Sequence, residues 1–133
     1  MPPSRPRGEL RRDLLAAATE AIEELGGAAM TLRDVARRAG VPHAAVGYHF
    51  GDKAGLLTAI AAEGFELLAD ELETARPSFL EMGVAYVRFA VTHRAHFEVM
   101  YQPALYDASN DALRAARRRT ADLLYGSRAA SGE

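Results

Sequence analysis

The stretch from Thr31 to Leu57, TLRDVARRAGVPHAAVGYHFGDKAGLL, constrains the fold more than any other part of the chain. Thr31 followed three residues later by Asp34 is a helix-start signal, although Asp is shorter than the preferred Glu. The hydroxyl can accept from a free N–H of the first turn, and the carboxylate can reach back to the cap. Leu32, Val35, Ala36 and Ala39 then recur at helical spacing and give one small apolar face. Arg33, Arg37 and Arg38 lie off that face. Gly40 can take the left-handed conformation that ends a helix, and Val41 can plug the corner that follows. Pro42 suits the first turn of a second helix, because its missing N–H has no partner there anyway. That helix, about Pro42 to His49, is short and nearly free of charge.

A helix, a Gly-containing turn and a second short helix form a helix-turn-helix, whose second helix enters the major groove of DNA. Small residues at Ala44, Ala45 and Gly47 let the helix backbone come close to base edges, and Phe50 anchors the helix on a core. Asp52 can cap a third helix, with Lys53 in its first turn. A cation there opposes the helix dipole, but a phosphate bound at the same helix start would reverse that penalty. The competing reading is two packing helices of an all-α bundle, with Lys53 merely solvated. Cap, turn and aromatic cluster agree over the whole stretch, which favours DNA.

These residues resemble the DNA-binding domain of the TetR family of bacterial transcription regulators. The resemblance rests on Thr31, Asp34, Val35, Ala36, Ala39, Gly40 and Val41, then His49-Phe50, Lys53 and Leu56-Leu57. It extends from about Arg11 to Leu68 and weakens after Pro77. Gly47 departs from it: members often carry an aromatic residue there, and Gly costs up to ~1 kcal/mol within a helix. On this resemblance Thr31 and Arg33 approach phosphates. His43 and Ala44, with Pro42 beside them, face base edges, and Tyr48, His49 and Lys53 meet the backbone.

The rest of the chain reads as helices. Residues 1–8 form a Pro/Arg-rich arm expected to be disordered: either Arg5 and Arg7 join Arg11 and Arg12 on phosphates or an adjacent minor groove, or the arm is a solubilising tail. A first helix from about Glu9 to Leu25 buries Leu10, Leu14, Leu15, Ala18, Ile22 and Leu25, and completes a DNA-binding domain over 9–53. A long helix from Asp52 to about Thr74 bridges into a second unit, 54–133, and is the obvious mechanical link. Helices follow at about Pro77–Thr92, Ala95–Tyr101 and Ser109–Tyr125, with a frayed end from Gly126. The fold class is all-α: a three-helix DNA-binding domain joined by the long helix to a partial helical bundle.

This second unit holds Phe65, Met82, Tyr86, Phe89, Phe97, Met100 and Tyr101, with Phe79 and Tyr106 in the same aromatic-rich stretch. Such a set can line an apolar pocket, and can equally be an ordinary helical core. The resemblance implies an effector pocket here, hence a repressor released by a small apolar or aromatic molecule. It also implies a homodimer on a palindromic double-stranded operator. The two further long helices that usually form that dimer are not expected after Tyr125.

Charge lends little help. Residues 1–53 carry a net +1 and residues 54–133 a net −3, so DNA affinity must come from a few placed cations and from doubling. There is no apolar run of membrane-spanning length and no signal-peptide core, and a cytoplasmic protein is expected. Cysteine is absent, which excludes disulfides and thiol catalysis. No nucleophile, zinc-protease or nucleotide-binding motif occurs, so no enzyme activity and no cofactor are expected. His93, His96 and Glu98 lie close in sequence, but the third would stand on another helical face from the other two, so no metal site is expected. A helical protein-interaction module without DNA binding is the alternative, and it leaves the capped turn unexplained.

Overall fold

The α1–α2 connection is where the first layer closes. Helix α1 (Arg7–Leu25) buries Leu14, Leu15, Ala18, Ala21 and Ile22, while Leu25, expected on that face, is 42% exposed at its end. Helix α2 (Leu32–Ala39) lays Val35 and Ala36 on that face, and α3 (His43–Phe50) adds Val46. Met30, in the connection, is fully buried between them. This computed structural model describes residues 7–130. Residues 1–6 of the expected arm lie outside the described residues, and Arg7 and Gly8 already belong to α1.

Helix α4 (Lys53–Ala75) is the spine. Leu56, Leu57, Ile60, Ala61, Phe65, Leu68 and Leu72 are all buried, and its N-terminal half meets the first layer. Around it pack α5 (Phe79–Thr92), α6 (Arg94–Met100) and α7 (Asp111–Ala130), with a 3-10 turn at Pro103–Leu105. Ser78 caps α5 by accepting from the Glu81 N–H at 3.1 Å. Helix α7 carries on past Gly126 to Ala130, where the sequence suggested fraying. Its buried line is Leu113, Ala116 and Thr120. Among the described residues there is no strand, and no helix is long and apolar enough to cross a membrane.

Polar side-chain contacts tie α4 to its neighbours in the bundle. Arg119 on α7 reaches Glu66, Asp70 and Glu73 of α4 at 3.0, 2.9 and 2.7 Å. Those acids recur at helical spacing on one side of α4, so a single guanidinium clamps three turns. Glu63 of α4 meets the buried His96 of α6 at 2.7 Å.

Candidate nucleic-acid interface

The turn between α2 and α3 forms by the local means its residues suggested. The Thr31 hydroxyl accepts from the Asp34 N–H at 3.1 Å, and the Thr31 N–H donates to the Asp34 carboxylate at 2.9 Å. This reciprocal pair is a capping box. The Thr31 N–H, and then the Thr31 hydroxyl donating to the same carboxylate at 2.9 Å, hold the Asp34 carboxyl below its ordinary value. Gly40 ends α2 at φ 70°, a left-handed geometry that glycine adopts at no steric cost. Pro42 occupies the cap position of α3, one residue before the expected first turn. Asp52 caps α4 through the Gly55 N–H at 2.8 Å.

Helix α3 then shows solvent a face of few side-chain atoms. Pro42, His43 and Ala44 are exposed, Tyr48 is 75% exposed, and Val46 on the other side is fully buried. A Cβ at Gly47 would meet nothing within 4 Å, so the gap left by that glycine is open. His49 is half-buried, edge-on to Tyr48 and tilted against Phe50. Phe50 packs on the core with the Arg11 guanidinium 5.3 Å from its ring centre.

The cations divide into spent and unspent. Arg38 is drawn to Glu24 of α1, and Arg37 to Asp34 at 2.9 Å. Arg33 is exposed and makes no ion pair among the described residues. Thr31 also lies on the surface, but its hydroxyl proton goes to Asp34. Lys53 donates from Nζ to the Ala28 carbonyl, which leaves two of its three protons for another acceptor. Lys53 therefore fixes the α1–α2 connection as well as facing the helix start.

A second tie reaches that connection from the bundle. The Gly27 N–H donates to Glu98 of α6 at 2.7 Å. The sequence pointed to α4 alone as the link between the halves, whereas α6 grips the DNA-binding unit directly. Glu98 is thereby engaged away from any metal. His93 stacks on Phe89 at 4.7 Å and His96 meets Glu63, and among the described residues no three metal-binding side chains gather.

The seven aromatic and Met residues expected around an effector do not share one cavity. Met82 and Phe89 are fully buried in the core. Tyr86 and Phe97 lie half-buried toward the surface, and the Tyr86 hydroxyl meets that of Tyr101 at 2.6 Å. Burial and that hydrogen bond push the Tyr101 phenol well above its ordinary value. Phe65, Met100 and Tyr101 instead line a groove of about 290 Å³ with Tyr106, Arg117, Thr120 and Tyr125. Tyr106, one of the aromatic residues of that stretch, joins the groove from a loop. Arg117 gave no sequence signal because it reads as part of a solvated basic face.

A three-helix reading head with a bare third helix, mounted on a helical bundle, defines a helix-turn-helix DNA-binding protein. Residues 14–60 match the model of bacterial regulatory proteins of the tetR family, and residues 79–132 match that of the tetracyclin repressor-like C-terminal domain. The chain belongs to the TetR family and is a DNA-binding transcriptional regulator. It is 34% identical to a protein with unknown function from Rhodococcus sp. RHA1, over 96% of this chain and 73% of that one, with a TM-score of 0.75. The TetR family transcriptional regulator PfmR from Thermus thermophilus shares the fold at 24% identity. That match covers 87% of this chain and 68% of PfmR, with a TM-score of 0.73. No curated protein matches the sequence significantly.

Proposed function

We propose that the protein is a sequence-specific repressor that binds a palindromic DNA operator as a homodimer in the cytoplasm and is released by a small apolar or aromatic effector. In this reading 1–8 is a basic arm, 9–53 reads DNA, and 54–133 senses the effector and contributes to pairing. The observation that carries it is the outward face of α3, where His43, Ala44 and Gly47 leave the helix backbone open to a groove floor. His43 is the polar side chain in its first turn. Arg33, Tyr48 and the remaining protons of Lys53 are suited to phosphates on either side. One recognition helix on a weakly charged surface binds poorly, so tight binding needs two copies with recognition helices about 34 Å apart.

Selection of bound genomic fragments, with the protein's size measured in solution, tests this. The expected result is a motif with two half-sites, and a changed base preference for His43→Ala at a cost of about 1–3 kcal/mol. The same motif returned by wild type and mutant would remove His43 from base readout. No enriched motif would remove sequence-specific binding.

A further inference from the structure

Two grooves along α4 have aromatic rings in their lining. The larger, about 800 Å³, runs beside α4 from His49 and Phe50 toward Asp107. Its acids are already used: Asp52 on Gly55, Glu63 on His96, Glu66 on Arg119 and Asp107 on Ser109. Its cation, Arg11, lies 5.3 Å from the Phe50 ring centre and belongs to α1 of the DNA-binding unit, away from the helices of the bundle.

The smaller groove, between α4, the end of α6 and α7, differs. Its hydroxyls are mostly committed inward. Thr120 turns its one proton to the Phe65 and Ala116 carbonyls, at 2.9 and 3.0 Å, and Tyr106 donates to the Met100 carbonyl at 2.7 Å. Arg117 is the exception. Its guanidinium lies 5.9 Å from the Phe65 ring centre and makes no ion pair among the described residues. Two residues on, Arg119 holds three carboxylates. Arg117 is itself part of the groove lining, which places its charge at the groove. The site thus combines aromatic walls with one uncompensated cation, and the complement of that pattern is a flat apolar body bearing a single anionic group.

We infer that this groove binds a small aromatic carboxylate, its rings against Phe65, Tyr101 and Tyr125 and its carboxylate on Arg117. The inference rests on the reading of the protein as an effector-released repressor, and it names the effector's chemical class. The ligand would touch α4 at Phe65 and the end of α6 at Tyr101. These two helices reach the DNA-binding unit, α4 through its own N-terminal half and α6 through Glu98. A ligand that favours one arrangement of α4 and α6 over another must change DNA affinity by the same differential.

Calorimetry with 1-naphthoate and with its methyl ester tests the site. The acid should bind at least about tenfold more tightly than the ester, since a charge-assisted pair is available only to the acid. Arg117→Gln, an exposed position, should erase that preference while the ester binds as before. Equal binding of acid and ester to wild type, no binding of either, or an undiminished preference in Arg117→Gln would overturn the inference. Operator affinity is read in the same samples with and without the acid. Carboxylate binding that leaves operator affinity unchanged would uphold the site and break the effector-release reading instead.

Discussion

Helix α3 shows solvent small and polar residues, whereas α5 turns an apolar stripe outward. Leu80, Val84, Val87 and Val91 of α5 are 78%, 50%, 64% and 74% exposed, and their spacing puts them on one helical face. The outward face of α3 is His43, Ala44, Gly47 and Tyr48. The two surfaces suit different partners. A bare helix face serves close approach to a polar, charged polymer, and its affinity comes from phosphates nearby. A contiguous apolar stripe is a surface that gains by being covered. The means of support differ as well. The α2–α3 unit is held by caps and a left-handed glycine, all acting within a few residues. The bundle is held by α4 through contacts between residues far apart in sequence, including the Arg119 clamp and the buried Phe89.

The sharpest test of that contrast is Phe89→Ala. The ring is fully buried, and its loss should cost about 3–5 kcal/mol in denaturant unfolding. Unchanged stability with altered ligand binding would make Phe89 a pocket wall and the bundle less of a core than it is here.

Gly55→Ala attacks the junction instead. A Cβ there would lie 1.9 Å from the Phe50 carbonyl oxygen, a backbone atom, so the α3–α4 corner must shift. Overpacking of this kind costs about 1–3 kcal/mol. Operator binding should be lost while amide-exchange protection in α5 and α7 persists. Loss of protection throughout the bundle would show that the halves do not behave separately.

Thr31→Ala probes the local support alone, at about 1 kcal/mol for a lost cap. Its pH dependence has a definite sign. The cap holds the Asp34 carboxyl below its ordinary value in the folded state, so the stabilisation is present above the unfolded value. It is lost as pH falls through the folded value. The gap between wild type and mutant should therefore narrow in acid without closing, because the bond from the Asp34 N–H to the Thr31 hydroxyl does not titrate. A constant gap between pH of about 7 and about 3 would mean that the hydroxyl's bond to the Asp34 carboxylate plays no part.

The smallest effect is expected at Gly47. Alanine there meets open space and should stabilise α3 by about 0.5–1 kcal/mol. Operator affinity should fall, because a methyl group would stand between the helix and the bases. Unchanged affinity would show that the backbone does not approach DNA at this position.

What the amino-acid sequence determined by itself was everything whose cause is local. Thr31 with Asp34, Gly40, and Asp52 with Gly55 each act across at most three residues, and the structure holds every one of those caps and turns. Helical spacing likewise gave the ends of α1 and α4 to within two residues and most of their buried faces. Tertiary structure decided the rest. Periodicity shows that a face is buried but not which face it meets. Arg119 could not be matched to Glu66, Asp70 and Glu73, nor Arg38 to Glu24, nor Glu98 to Gly27, until the helices were in place. For the same reason one aromatic set divided into a core, a surface cluster and a groove wall. The groove was completed by Tyr106, Arg117 and Tyr125, whose positions along the chain carry no sign that they converge.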